Sequence, residues 1–443
     1  MFIQPLEPRL FLSIGPLPQL TVNPVAAAIH LPPHPVTFAT SPGSVLTKAN
    51  RQTLLNGLTL ASSLKSSLQF KLNSDNLTGF DQQLLDYFKN RSTPDFYFAT
   101  GDVAANASYI TSHMGDGGAG SRADAVLAHK FPQQSSSETF TVQLPSTINW
   151  TSTAPSSNPE FVHALNRHGY WYDLATAYRY TGNAAYANEL IDQLASWSAT
   201  FTSVTAPVPW STSDQRGWVL DTGIRVESWC WAYYLLLGSG AWSKEANSLF
   251  LYKLFQQADF LSTATSYGNT DNRTISHAKG WFFIAGLFPE FTSAAAWETA
   301  SRQLLFDATD GQFYNDGSHR EQSPGYTQGI VEDLLEAKLL DQLNGFVWPS
   351  DRNTKLNSAI NTYYQFISPD GNRPAIGDTY RTFALSMFLK ANLVQGVSTW
   401  PAVKPRAKDV WLFGPTTVDP FNSNSNNPPL GNRGSTFALK DSG

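Results

Sequence analysis

Eleven consecutive residues, Asp316-Gly317-Ser318-His319-Arg320-Glu321-Gln322-Ser323-Pro324-Gly325-Tyr326, bring an acid, a histidine, an arginine, a glutamate and a phenol together. Two glycines and a proline forbid one continuous helix through the segment, so it reads as a loop. It runs into an apolar helix carrying Ile330, Leu334 and Ala337, a rigid frame on which a loop can assemble chemistry. A second cluster is Asn272-Arg273-Thr274-Ile275-Ser276-His277-Ala278-Lys279-Gly280. At helical spacing Ile275, Ala278, Phe282 and Ala285 form an apolar stripe, and Asn272, Arg273, Ser276 and His277 share another. The second stripe faces solvent or a cavity; the plainer reading is a solvated face with Asn272 as N-cap. A third cluster, Asn166-Arg167-His168, lies in a helical stretch that Leu165, Tyr172 and Ala175 mark.

These residue types suit proton abstraction next to the carboxylate of a uronic acid. That reaction needs a group to neutralise the carboxylate, a base that reaches C5 and an acid that meets the leaving O4. Asparagine, arginine or histidine can do the first. A tyrosine such as Tyr326 can act as base once something overcomes its ordinary pKa of about 10, and His319, Arg320, Arg273 and His277 are the cations available for that. The plainer reading of Tyr326 is one more packed aromatic.

The elements that would position these groups are helical. Leu190, Leu194, Trp197 and Phe201 are spaced by four, three and four, and Gly182-Asn183 reads as the tight turn before them. Further helices are expected at about 216–238, 243–266, 273–287, 293–307, 324–344, 353–367 and 379–396, with almost no strand signal between 160 and 400. Sequential helical hairpins without a fixed repeat fit a mainly α fold, an incomplete α/α toroid. Residues 1–40 read as a leader and proline-rich extended segment, 41–400 as the toroid, and 401–443 as a linker. Ser435 to Lys440 has the pattern of a strand that would begin an antiparallel β domain.

Composition narrows the partners. Aromatics make up 13% of the 443 residues and the formal net charge is -5, which speaks against nucleic acid and leaves a polyanion dependent on a locally basic groove. No apolar run reaches membrane-spanning length. The single cysteine, Cys230, lies in an apolar run and reads as a buried, inert thiol. No histidine or cysteine spacing calls for a metal or cofactor. Gly115, Gly117 and Gly120 match GxGxxG but lack the strand and acid of a dinucleotide site.

Five stretches together resemble the N-terminal helical domain of heparinase II/III-like and alginate-lyase-like polysaccharide lyases. They are Leu165 to His168 with Trp171, Leu220-Asp221-Thr222-Gly223-Ile224-Arg225 with Ser228-Trp229, Asn272 to Gly280 followed by Leu287-Phe288-Pro289-Glu290, Asp316 to Tyr326, and Pro374-Ala375-Ile376-Gly377-Asp378. The resemblance implies a toroid facing a C-terminal β domain, β-elimination on a uronan, Asn272 as the carboxylate-neutralising residue and Tyr326 as base, acid or both. It implies substrate contact or bracing for Arg167, His168 and Arg225, and His277, His319, Arg320 and Glu321 join them as candidates for the cleft. Two positions depart from the family pattern: Arg273 stands where histidine usually follows the asparagine, and His277 where glutamate is common. Separately, Leu6-Glu7-Pro8-Arg9-Leu10-Phe11-Leu12-Ser13 resembles the LEPR-type motif of planctomycete surface and secreted proteins, which implies a secreted or cell-surface location. The competing readings are an inverting glycoside hydrolase using two of Asp316, Glu321 and Asp378 at about 6.5–9.5 Å, and a non-catalytic glycan-binding toroid.

Overall fold

Side-chain capping and apolar periodicity set the helices of this chain. The computed structural model describes residues 40–424 apart from 135–138, 152–154, 157, 159, 203–218 and 265–266. The LEPR-like segment and the strand expected at 435–440 lie outside the described residues. Six helices come first: α1 (Pro42–Val45), α2 (Lys48–Asn56), α3 (Ser62–Asn73), α4 (Leu77–Asn90), α5 (Val103–His113) and α6 (Ala119–Leu127). A small antiparallel pair, β1 (Lys130–Pro132) with β2 (Phe140–Gln143), leads to α7 (Glu160–Arg167). Then come α8 (Tyr170–Thr181), α9 (Ala184–Thr200), α10 (Val219–Leu236), α11 (Lys244–Thr263), α12 (Asn272–Leu287), α13 (Ala294–Gln312), α14 (Pro324–Leu343) and α15 (Ser350–Phe366). The hairpin β3 (Asn372–Arg373) and β4 (Thr382–Phe383) precedes α16 (Ser386–Gln395), α17 (Ala407–Phe413) and α18 (Pro415–Val418).

The packing is that of an incomplete α/α toroid. Helices α8, α10, α12, α14 and α16 lie side by side in that order, and α9, α11, α13 and α15 back them as hairpin partners. Each inner helix is joined to the next through one outer helix, so the inner helices run the same way. Gly223, in the second turn of α10, meets Ser276 in the second turn of α12 and Gly280 at its middle; a Cβ at either glycine would run into the opposite backbone. That contact lets the two helices touch main chain to main chain and keeps their starts level. The N-terminal ends of the inner helices therefore share one rim, where the helix dipoles favour negative charge.

The caps follow sequence cues. Gly182 ends α8 in the left-handed region and the Asn183 side chain caps α9, as the hairpin reading expects. Ser323 caps α14 with Pro324 as its first residue. Asp271, not Asn272, caps α12: its side chain accepts from Arg273 N at 2.9 Å, which frees the Asn272 side chain.

Three expectations change. The helix through Leu165 to Tyr180 is two helices, broken at His168, whose φ of 55° no helix accommodates. The stretch 379–396 is helical only from Ser386, since the β3–β4 hairpin with Gly371 and Gly377 at positive φ occupies its start. Beyond Pro401 the linker expectation gives way to α17 and α18; Trp411 is fully buried against Phe98 and Tyr180.

The aromatics are mostly core. Trp150, Trp171, Trp229 and Trp411 are fully buried, and Trp171 stacks on Trp229 at 5.2 Å. At about 1.5–3 kcal/mol for each fully buried large apolar side chain, packing explains their abundance without invoking sugar platforms. Cys230 is fully buried, and burial pushes its thiol well up. Among the described residues no helix is long and apolar enough to cross a membrane.

The core also holds charge. Where α10, α12, α14, α16 and α17 meet, Lys279 Nζ reaches Glu227 at 2.9 Å, Asp333 at 2.7 Å and Glu336 at 3.1 Å. Lys390 reaches Glu336 at 2.7 Å and Glu332 at 3.2 Å, and Lys408 reaches Glu336 at 2.8 Å. Burial pushes the Glu336 carboxyl up, but Lys279, Lys390 and Lys408 together hold it well below the usual range.

Candidate active site

The candidate residues divide into those open at the rim and those buried beneath it. Asn272 is the first residue of α12 and Tyr326 the third of α14, and these are neighbouring inner helices. Asn272 Nδ2 donates to both carboxylate oxygens of Glu321 at 2.8 Å, and its backbone N–H donates to Glu321 Oε1 at 3.3 Å. The structure thus joins two of the sequence clusters through one asparagine–glutamate pair.

Tyr326 is 39% exposed, and its phenol donates to Asp378 Oδ2 at 2.8 Å. Asp378 lies in the turn between β3 and β4, which is bolted to the first turn of α14. Gly325 N donates to Thr379 Oγ1 at 2.8 Å, and Ser323 Oγ lies 2.7 Å from the same hydroxyl. In the same turn as Asp378, Tyr380 is 71% and Ile376 50% exposed.

Arg273 is committed locally. It donates to Asp271 at 2.9 and 2.6 Å and lies over the Tyr267 ring at 4.1 Å. The bond to Asp271, ahead of the opposing effect of burial, raises its already high pKa, so it stays cationic. Arg320 is exposed; its Nε donates to Gly311 O, and its guanidinium covers Tyr314 at 4.4 Å.

Five candidates are buried. His319 Nε2 donates to Gln312 Oε1 at 2.9 Å, and Gln312 Nε2 donates to Asp271 O at 2.5 Å, so the loop's histidine ties it to the cap of α12. Burial pushes His319 down to about 4. His277 faces α11, donating to Leu261 O at 2.9 Å, and burial lowers its pKa despite that bond. Both are neutral at pH 7, so the expectation that they contribute positive charge around Tyr326 does not hold. Desolvation outweighs the attraction of any anion for either ring.

Arg167, His168 and Arg225 form the underside. Arg167 Nε donates to the fully buried Asp221 at 2.6 Å, and His163 Nδ1 donates to the same carboxylate at 2.8 Å. His168 stacks on Trp171 at 4.3 Å and accepts from Trp229 Nε1 at 2.9 Å. Burial, and secondly Arg225, drive it well below the usual histidine range. Arg225 donates to Gln257 at 2.7 Å, Asn166 O at 2.8 Å and Thr222 at 2.9 Å, and lies 4.9 Å over Trp197. At 0% and 1% exposure, His168 and Arg225 brace the α7–α8 junction and have no surface to offer a substrate. His277 at 1% and His319 at 4% are closed off in the same way.

Sequence reasoning undervalued two acids. From the sequence, Asp221 lies in one of the five stretches without a role, and Asp378 enters as a hydrolase carboxylate only. The cue for Asp378 was its turn sequence, Ile376-Gly377-Asp378-Thr379, just before an inner helix. Of the other hydrolase candidates, Asp316 is spent inside its own loop, accepting from Ser318 N at 2.9 Å and Ser318 Oγ at 2.6 Å. Among the described residues no group of three or more His, Cys, Asp or Glu side chains is arranged to hold a metal ion.

Comparison with known proteins gives one family. A heparin-sulfate lyase of Pedobacter heparinus is 26% identical over 344 residues, covering 74% of this chain and 48% of that protein. One of Bacteroides thetaiotaomicron is 29% identical over 233 residues, covering 52% of this chain and 32% of that protein. The chain thus spans less than half the length of these relatives. Among solved structures, a heparinase III superposes with a TM-score of 0.58 at 22% identity, covering 72% of this chain and 48% of that one. The heparan sulfate lyase HepC from Pedobacter heparinus gives 0.57 at 22% identity, covering 85% and 56%. The family model for the heparinase II/III N-terminus matches residues 56–405, and the chain belongs to that family.

Proposed function

We propose that the rim is the helical half of a polysaccharide lyase site that cuts a heparan sulfate-like uronan by β-elimination. The observation that carries this reading is the placement of a half-buried Asn272 and an exposed Tyr326 on the first turns of adjacent inner helices. The names of the relatives support the substrate class. The rim of helix N-termini supports a negatively charged ligand.

In the reaction, the Asn272 amide meets the uronate carboxylate, and the Arg273 cation adds to the neutralisation. Asn272 already holds a carboxylate, that of Glu321, through two 2.8 Å bonds; the substrate carboxylate takes its place. With that charge balanced, Tyr326 removes the C5 proton, the electron pair forms the C4–C5 double bond, and the C4–O4 bond breaks. Donation of a proton to O4 completes the elimination. Arg320, and Tyr380 in the turn that carries Asp378, hold the flanking sugars. Arg167 closes the floor through Asp221. The LEPR-like segment supports export, where such a glycan is met.

The test is incubation of the 443-residue chain with heparan sulfate and, separately, with alginate and a neutral glucan. Ultraviolet absorbance of the conjugated double bond, growing with heparan sulfate, is the expected outcome. New reducing ends without that chromophore would mean hydrolysis, and retention on a heparan sulfate column with neither product would mean a binding module.

A further inference from the structure

A phenol with an ordinary pKa of about 10 is almost wholly protonated at neutral pH, and as such is a poor base. Positive charge around it is one remedy; of the candidates read from the sequence, His319 and His277 are held neutral by burial, and Arg273 is paired with Asp271. The structure offers another remedy: the Tyr326 phenol donates to the Asp378 carboxylate at 2.8 Å.

Resting on the lyase reading, we infer that Asp378 is a positioning and proton-holding residue for Tyr326. It takes the phenol proton as the phenol takes one from substrate. The bookkeeping closes without a preformed phenolate. As C5–H breaks, its proton passes to Tyr326 Oη, and the original hydroxyl proton moves to Asp378 Oδ2. The C5 electron pair forms the C4–C5 double bond, and C4–O4 breaks. Oη then protonates O4 and recovers its own proton from Asp378, so one proton has moved from C5 to O4 and the enzyme is unchanged.

The carboxylate is held for this task. Thr379, the next residue, accepts from Gly325 N and touches Ser323 Oγ, so the turn and the phenol ride on the same first turn of α14. Gly377 at φ 61° makes the bend that aims residue 378 at the helix. Gly325 lies against the Thr379 side chain, where a Cβ would stand 3.0 Å from Oγ1. Among the described residues, the charged groups on the surrounding elements have partners of their own, and Arg373 also braces the turn by donating to Tyr380 O at 3.2 Å. Arg381 pairs with Asp370, Arg373 donates to Gln328 at 2.8 Å, Glu321 accepts from Asn272, and Arg320 donates to Gly311 O. An exposed acid facing a polyanion works against binding, so its presence beside the phenol calls for a different role.

Steady-state kinetics on heparan sulfate with the full chain separate the possibilities. Asp378→Asn keeps the size and an acceptor for the phenol but cannot hold the proton. Its kcat is expected to fall roughly 10²- to 10³-fold, with KM unchanged or lower. What remains should rise about tenfold per pH unit through the alkaline range, as only the phenolate works; the parent profile is flatter. Asp378→Glu, which restores a carboxylate, is expected to recover activity to within about tenfold of the parent. An Asp378→Asn enzyme with kcat within threefold and a parallel pH profile overturns the proposal, as does a loss confined to KM. A parent chain that forms no unsaturated product overturns the lyase reading and this inference with it. An active parent with an unaffected Asp378→Asn overturns this inference alone.

Discussion

The core cluster around Lys279 and the rim around Asn272 use similar side chains, wired in opposite ways. In the core, three lysines and four carboxylates share partners, and Glu336 alone serves Lys279, Lys390 and Lys408. At the rim, the contacts are separate rather than shared: Asn272 meets Glu321, Tyr326 meets Asp378, and Arg273 meets Asp271. Removing one member of a buried network strands its neighbours without water. Removing one member of an exposed pair leaves the other to solvent or ligand. A site must exchange partners, so the exchangeable wiring belongs at the rim and the shared wiring belongs where helices are clamped together.

The largest break in that contrast is Lys279→Met. It takes the ammonium from Glu227 and Asp333 and leaves Glu336 to Lys390 and Lys408, at an expected cost of about 3–5 kcal/mol read by urea unfolding; a loss below 1 kcal/mol would mean that the cluster does not clamp the inner helices. Asn272→Ala should do the reverse, leaving the unfolding midpoint unchanged while kcat on heparan sulfate falls roughly 10²- to 10³-fold.

His319 tests the boundary between the regions, a rim residue with core wiring. Its folded pKa of about 4 lies below the ordinary histidine value. Between pH 6.5 and 4 the unfolded chain binds a proton that the folded chain refuses. Its stabilising contribution is therefore whole above pH 6.5 and is lost as pH falls towards 4, by about 2–3 kcal/mol. His319→Gln lacks that titration, so the stability gap between parent and variant should shift over this window and be flat above it. The smallest effect belongs to Glu321→Gln, expected within roughly 0.5 kcal/mol in stability because the pair is solvated.

The toroid was legible because helix periodicity, the Gly182-Asn183 turn and the Ser323-Pro324 start are local signals. Asn272 and Tyr326 could be singled out because their clusters are polar at helix starts. What could not be read is which polar residues end up inside. His168, Arg225, His277 and His319 look like site residues by type, yet their burial depends on Trp171, Trp229, Gln257, Leu261 and Gln312 from other elements. Asp378 was hidden for the converse reason: its partner lies 52 residues away, and only the turn anchored by Thr379 brings the two together.

The central claim, that Tyr326 moves the proton in an elimination, is tested most directly by Tyr326→Phe on heparan sulfate. Formation of the unsaturated product should fall by roughly 10³-fold or more, while affinity for the glycan, measured by calorimetry, and the unfolding midpoint stay within error of the parent. A Tyr326→Phe chain that still forms product at a rate near the parent's would remove the phenol from the mechanism and contradict the account.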